Sequence, residues 1–354
     1  MADGDDESES GPIRTLADLA RVAGVSTGTV SRALAGSSLV NLKTGDYIRD
    51  LARRHGVRPN QMASKLRSRR TGVIGVVIPL GHERRQHISD PFFMTLLGKL
   101  ADELTESGYD IMLSRAIPDE NEEWLDRITG SGMTDGVIVI GQSDQFETIE
   151  RVAESYRPMV VWGHHRAGQR HCVVGTDNAL GGRLAAEHLI TRGATRLLFL
   201  GDTTGIEIAQ RLAGVEQAAT AAEIELTHFP LHLSDEEIVA NIGVGLAAHA
   251  APIDGIVAAS DLIAMSALKE LHARGYRVPD AVQIVGYDDL PLAAQTMPPL
   301  TTIRQDIDFG AKAIVDKLRR RIENEEADSL VMMPELIERE TSRRRFRHPF
   351  DPKG

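Results

Sequence analysis

The chain has 354 residues, 42% hydrophobic and 26% charged, with 40 Lys and Arg against 51 Asp and Glu, a net charge of -11, one cysteine and 4% aromatics. That length suggests two or three domains, and that composition excludes a wholly disordered chain and a disulfide scaffold. The lone Cys172 cannot form an intramolecular bridge, which fits a reducing compartment, and the longest apolar runs, such as 72–80, fall far short of the ~20 residues that span a bilayer. Residues 1–10 carry five acids and no base, the opposite of a secretory leader, so a cytoplasmic protein with no membrane partner is expected.

Charge divides the chain unevenly. Beyond the five acids of residues 1–10, residues 11–72 hold twelve Lys and Arg against three acids, a charge of +9, and residues 73–354 carry -15. Residues 1–12 read as a disordered acidic tail. A short charge run usually marks a solvated face, but an excess of nine over one small module attracts phosphate whatever the sign of the whole chain. The acidic body would repel DNA, leaving the basic module as the surface that can approach it.

Within that module, Thr15 followed by Asp18, just before Leu19, Val22 and Val25, predicts a capped helix with an apolar face. Gly24-Val25 breaks it, and Ser26 caps a second short helix over 27–34 that ends at Gly36. Two short helices joined by a tight glycine-bearing turn form a helix-turn-helix, whose second helix offers Thr27, Gly28, Thr29 and Arg32 to base edges in the major groove. A third helix over 41–55 turns Ile48, Leu51 and Ala52 inward and Arg49, Arg53 and Arg54 outward. Ordinary three-helix bundles share this geometry. The basic segment 58–70 adds weight: Pro59 opens it, Met62, Ala63 and Leu66 share one helical face, and it is too short to be a stable helix alone.

In the acidic body the run 73–78, bounded by Gly72 and Pro79, predicts a strand. Similar runs at 109–113, 136–140, 159–162, 197–200, 255–258 and 283–285 alternate with helical stretches such as 96–104, 181–190 and 263–271, the pattern of a doubly wound parallel sheet. The pattern restarts near residue 170, which predicts two α/β subdomains with a ligand cleft at the carboxyl ends of the strands. No catalytic, metal or cofactor site is expected. His82 and His87 are five apart and fall on different helix faces, and adjacent His164-His165 point apart on a strand, with His171 and Cys172 nearby. Gly243, Gly245 and Ala248 lie in a stretch, 233–250, that reads as helix, and no phosphate-loop lysine, nucleophile elbow or convincing triad occurs.

The run Ala20-Arg21-Val22-Ala23-Gly24-Val25-Ser26-Thr27-Gly28-Thr29-Val30-Ser31-Arg32-Ala33-Leu34 resembles, almost position for position, the helix-turn-helix of the lactose-repressor/galactose-repressor (LacI/GalR) transcription regulators. Pro59-Asn60 through Leu66-Arg67 resembles their hinge helix. Gly175-Thr176-Asp177-Asn178, residues 182–189, Val285-Gly286-Tyr287-Asp288-Asp289 and residues 298–303 resemble their effector-binding core, which is similar to periplasmic sugar-binding proteins. The resemblance implies a small all-α helix-turn-helix DNA-binding domain at 13–58 and a hinge helix and linker at 59–71. These precede an α/β periplasmic-binding-protein-like core of two doubly wound subdomains at 72–345 and a tail at 346–354. The chain would cross between the subdomains near residues 163, 292 and 330.

The resemblance also implies a repressor acting as a homodimer or a dimer of dimers on palindromic operator DNA, under control of a small-molecule effector, with a mono- or disaccharide expected. The DNA-binding residues it implies are Thr15, Ser26, Thr27, Gly28, Thr29, Ser31, Arg32, Ser38, Asn60, Ala63, Leu66 and Arg67. Ser31 and Ser38 would hold phosphates, and Leu66 with Arg67 would enter the minor groove from a hinge that folds only on DNA. The implied effector residues are Asp90, Phe92, Phe93, His164, Arg211, Ser260, Asp261 and Asp288, a set whose Asp and Arg suit hydroxyls and whose aromatics suit the apolar face of a sugar ring. There are departures. Gly45 stands where the family has Arg and Val57 where it has Tyr, which should weaken the third helix or its packing. Gly163-His164 replaces an acid and Arg, Ser260 replaces Asn, and the loop 81–89 is long. Effector identity therefore stays open. A cytoplasmic sugar-binding or sugar-modifying enzyme with the basic module as an appendage is the competing reading, and it rests on fold analogy.

Overall fold

The computed structural model describes residues 13–34, 36–57, 70–79, 88–118, 123–231, 238–247 and 252–343. The chain separates into one unit ending at Thr71 and a second beginning at Gly72. In the first, α1 (Leu16–Ala23) starts at Thr15, whose hydroxyl accepts from Asp18 N while the Asp18 carboxylate accepts from Thr15 N, and it ends at Gly24 with φ +66°. α2 (Thr27–Leu34) follows, then α3 (Leu42–His55), capped by the Asn41 side chain accepting from Lys43 N. Leu19, Val30, Ala33, Ile48 and Leu51 form the buried centre.

The two departures expected to weaken α3 do not interrupt it. Gly45 is buried and leaves room for the Arg49 guanidinium, which donates to Ala33 O at 3.0 Å and ties α3 to the end of α2. Val57 is 7% exposed and closes the same core. Asn60, Ala63, Leu66 and Arg67, with the hinge helix expected around them, lie outside the described residues.

The second unit begins with β1 (Val73–Pro79), α4 (Pro91–Glu106), β2 (Asp110–Ala116), α5 (Trp124–Thr129), β3 (Gly136–Ile140), α6 (Phe146–Ala153), β4 (Met159–Trp162) and β5 (Cys172–Thr176). Then come α7 (Asn178–Thr191), β6 (Arg196–Leu200), α8 (Ile206–Ala221), β7 (Glu225–Phe229), α9 (Ile238–Ala247), β8 (Gly255–Ala258), α10 (Asp261–Ala273), β9 (Gln283–Asp288), a 3-10 turn (Pro291–Gln295) and β10 (Thr301–Arg304). α11 (Ile307–Ile322), β11 (Leu330–Met332) and β12 (Glu335–Ile337) complete it. One six-stranded sheet has the order β11-β5-β4-β3-β1-β2 and is parallel throughout. The other has the order β12-β10-β9-β8-β6-β7 and is parallel except for β12. Among the described residues no helix is long and apolar enough to cross a membrane.

The first two crossings between subdomains differ from those expected near 163 and 292, and the third lies close to the one expected near 330. The first follows β5, since its run Cys172-Val173-Val174-Gly175-Thr176 is buried and pairs with β4. The stretch between β4 and β5, which holds the expected position 163, is a loop within one subdomain. The second follows β10, because Pro291 opens only a 3-10 turn and the chain returns to pair with β9 before leaving the sheet. The third falls at Met333-Pro334, between β11 and β12.

Two close contacts fix the second subdomain. A Cβ at Gly182 of α7 would stand 1.9 Å from Arg211 O, and one at Gly214 of α8 would stand 1.9 Å from Ala179 O, so only glycine lets these helices meet backbone to backbone. Asp261 opens α10 fully buried, its Oδ1 accepting from the Thr302 hydroxyl at 2.6 Å and its Oδ2 from Leu290 N at 2.8 Å. Burial pushes this carboxyl up to about 7 despite both bonds.

Gly214→Ala should therefore lower the unfolding temperature, by overpacking on the order of 1–3 kcal/mol, and an unchanged melting curve would contradict the contact. The raised Asp261 carboxyl makes its stabilising contribution complete below the unfolded value of about 4, and that contribution is lost as pH rises through about 7. Urea midpoints should thus fall across this window, and Asp261→Asn should remove part of the fall.

Candidate functional site

In the first unit, Ser26 sits before α2 with its hydroxyl accepting from Thr29 N at 3.1 Å and hydrogen-bonded to the Thr29 hydroxyl at 2.9 Å. Thr15 is likewise engaged, its hydroxyl 2.8 Å from the Asp18 carboxylate. These three side chains build helix starts, whereas Thr27, Arg32 and Ser38 are exposed; Gly28 and Ser31 are half-buried. α2 has no acid in its first turn, which leaves its positive N-terminal end unopposed. Arg21, Arg49 and Arg54 are paired with Asp18, Asp46 and Asp50, while Arg32 has no ion pair among the described residues. An exposed guanidinium on a helix with a positive leading end can meet a phosphate or a guanine edge.

In the second unit, the carboxyl ends of both sheets converge on a cleft. Six of the eight expected effector residues line it: Asp90, Phe92, Phe93, Arg211, Ser260 and Asp288. Asp90 caps α4 by accepting from Phe92 N at 2.8 Å, which sets Phe92 and Phe93 in the first helical turn. Phe92 stands edge-on to Phe93, with centroids 5.8 Å apart, and 5.9 Å from Trp162, giving an apolar aromatic wall. Ser260 caps α10 by accepting from Ile263 N at 3.3 Å.

Arg211 is 8% exposed. Its Nε donates to Asn178 Oδ1 at 2.8 Å and its Nη1 to Ala259 O at 2.5 Å, and the guanidinium lies 3.7 Å above the Tyr287 ring. The Asp288 carboxylate stands 3.9 Å from Arg211 Nη1 and accepts from Gln305 Nε2 at 2.7 Å. Burial holds the Asp288 carboxyl well above the usual carboxylate range, an effect Arg211 only partly offsets. Asp288 also has φ +120° and Asp289 φ +56°, left-handed conformations that cost on the order of 1–3 kcal/mol each and aim the carboxylate off the strand end.

Two expected effector residues do not line the cleft. Asp261 is committed to Leu290 and Thr302, as described above. His164 is half-buried, with its backbone N–H donating to Gln142 Oε1 at 2.9 Å, and burial beside Arg166 and His165 lowers its imidazole below the usual range. Motif position fixed their backbone and not the direction of their side chains.

The residues that sequence reasoning missed include Ile140, Trp162 and Thr176, each the last residue of a strand, and Asn178, Asp202, Glu207 and Gln305. The strand ends were the available signal for the first three. Glu207 Oε1 also accepts from Gln142 N at 3.1 Å, joining the two subdomains beside the cleft. Gln142 in turn meets His171 Nε2 at 2.9 Å, and His171 Nδ1 pairs with Glu150. Among the described residues no group of three His, Cys, Asp or Glu could hold a metal ion.

Comparison with known proteins agrees with both halves. Residues 15–60 match the family of bacterial regulatory proteins, lacI family, and residues 186–342 match the periplasmic binding protein-like domain. Over 339 residues the chain is 31% identical to the HTH-type transcriptional regulator RegA of Clostridium saccharobutylicum, across 93% of this chain and 99% of that protein. Its fold is similar to that of the transcriptional regulator CelR in complex with cellobiose, with 27% identity, TM-score 0.67 and coverage of 92% of this chain and 99% of that one. It is also similar in fold to the lac repressor dimer bound to operator and the anti-inducer ONPF, with 22% identity, TM-score 0.78 and coverage of 92% and 98%. The exposed face of α2, the strand-end cleft and these matches agree: the chain belongs to the lacI family of bacterial regulatory proteins.

Proposed function

We propose that the protein is a cytoplasmic transcriptional repressor that grips palindromic operator DNA as a homodimer and changes its operator affinity when a sugar occupies the cleft. The observation that carries this reading is the pairing, in one chain, of an exposed Thr27 and Arg32 on α2 with a cleft that combines Arg211, Asp288 and the Phe92–Trp162 wall. Carboxylates accept from sugar hydroxyls, a guanidinium donates to them, and aromatic edges and faces cover the apolar side of the ring. The cellobiose bound by the similar CelR supports a sugar. Two α2 helices reach successive major grooves when a two-fold axis spaces them by one helical turn, hence a dimer on a palindrome.

Thr27, Gly28, Thr29 and Arg32 face the bases on this reading, and Ser31 and Ser38 face phosphates. The ligand acts through unequal affinity for two arrangements of the chain, with a coupling of ~1–3 kcal/mol. The regulator returns its ligand unchanged; turnover of a cleft-bound sugar would favour the enzyme reading.

Fluorescence anisotropy on DNA from upstream of the gene, titrated with mono- and disaccharides, tests the proposal: one sugar should shift operator affinity, and no operator binding with or without sugar would overturn it. Affinity should fall on the order of a thousandfold between 50 and 200 mM salt, through counterion release, and near-constant affinity would contradict phosphate contact. Arg32→Ala should weaken specific binding roughly ten- to a hundredfold. Arg211→Lys keeps the charge but cannot span Asn178 and Ala259, so it should retain operator binding and lose the sugar response.

A further inference from the structure

Behind the cleft wall, Glu150, His171 and Gln142 form a chain of polar side chains, none of which lines the cleft. His171, just before β5, is 1% exposed, and Gln142, soon after β3, is fully buried. The imidazole pairs through Nδ1 with the Glu150 carboxylate of α6, and its Nε2 stands 2.9 Å from Gln142 Nε2. Gln142 Oε1 accepts from His164 N at 2.9 Å, and its side chain fills the space that a Cβ at Gly163 would need. Gly163 in turn lines the cleft, and Gln142 N donates to Glu207 Oε1 in the other subdomain.

Both ends of this chain are fixed in polarity, and together they place the proton in the middle. A backbone N–H can only donate, so the Gln142 oxygen faces His164 and its amide nitrogen faces His171. At the other end, Glu150 accepts from Arg170 N at 2.9 Å and His171 N at 3.1 Å. Burial raises its carboxyl, but these bonds outweigh burial and hold it below the ordinary range, so it accepts from Nδ1 as well. His171 is therefore the neutral tautomer with its proton on Nδ1 and a lone pair on Nε2. A second proton, on Nε2, would set two donors face to face in a buried site. Turning the Gln142 amide over would satisfy the imidazolium but oppose its nitrogen to His164 N–H. One bond to the loop is lost in either orientation.

The loop 163–171 is otherwise tied largely to itself and to α6. Arg166 N donates to Gln169 Oε1 at 2.6 Å, Gln169 Nε2 donates to His171 O at 2.9 Å, and Arg170 pairs with Glu154. Charged and titratable groups surround the imidazole on three sides: Glu150 on α6, His165 on the loop and Arg321 on α11, with Arg166 over the Phe146 ring that meets the imidazole edge-on. Burial is the largest influence and lowers His171; Glu150 raises it, and His165 and Arg321 lower it further, leaving it below the ordinary histidine value of about 6.5.

We propose that Glu150, His171 and Gln142 form a proton-operated latch, in which neutral His171 holds the loop 163–171 against the end of β3 and protonation of Nε2 releases the loop with the cleft wall it carries. The latch needs no ligand, so its test is separate from that of the sugar response.

Hydrogen exchange of residues 163–171 in the full-length protein, followed by mass spectrometry, reads the latch directly. Wild type and His171→Gln are compared at the same pH, so the intrinsic pH dependence of exchange cancels. The glutamine can accept from Gln142 Nε2 but cannot titrate. From about pH 7.5 to about pH 5, across the ordinary histidine value, the ratio of wild-type to variant exchange should rise roughly five- to tenfold. An unchanged ratio would overturn the latch. Gln142→Glu supplies a carboxylate that accepts from both His164 N and the imidazolium. It should raise the His171 midpoint, followed by NMR of labelled histidines, by about one pH unit or more and abolish the acid release. An unmoved midpoint would overturn the contact. In the wild type alone, the same spectra should show the proton on Nδ1 at neutral pH, and a protonated Nε2 there would overturn the assignment.

Discussion

The buried guanidinium of Arg211 is the contact on which the cleft depends. A cation 8% exposed cannot be left uncompensated, and removing one partner of a buried charge costs on the order of 3–5 kcal/mol. Its partners come from separate elements: Asn178 opens α7, Ala259 follows β8, and Tyr287 and Asp288 end β9. Arg211 reaches them only because α8 lies against α7 at backbone distance, which Gly182 and Gly214 permit. Two glycines thus decide a helix contact, the helix contact places a cation, and the cation organises the chemistry of the cleft.

The crossings give that chemistry a route to movement. Thr176 and Asn178 flank the first crossing, and Gln305, which donates to Asp288, lies on the second. The Glu207 to Gln142 bond adds a direct tie between the subdomains. A ligand held by these residues touches the segments about which one subdomain can turn on the other. It can therefore bind two arrangements unequally, which is the physical requirement for control.

Much of this was legible in the sequence. The second helix was expected over 27–34 and found there, because Ser26 caps it and Gly36 follows it. The buried runs 136–140, 159–162 and 255–258 became strands with those bounds, since uninterrupted apolar residues covered on both faces have few alternatives. Less visible were β7, a half-buried edge strand with charge and polarity in Glu225-Leu226-Thr227-His228-Phe229, and the three-residue β11. The first two crossings were misplaced because motif position along the chain does not carry sheet pairing, which is a long-range property. His164 and Asp261 show the same limit at the site: a motif locates a residue along the chain, but packing decides whether its side chain meets the ligand.

Control of operator affinity by a sugar requires that ligand in the cleft and DNA on the helix-turn-helix be energetically coupled. Coupling between binding sites is reciprocal, so it can be read from the ligand side alone. The most direct measurement is the affinity for the effector sugar by calorimetry, first without DNA and then with operator saturating. A change of roughly 5- to 150-fold is expected, equal to the factor by which the sugar shifts operator affinity. Identical sugar affinity with and without operator would contradict it.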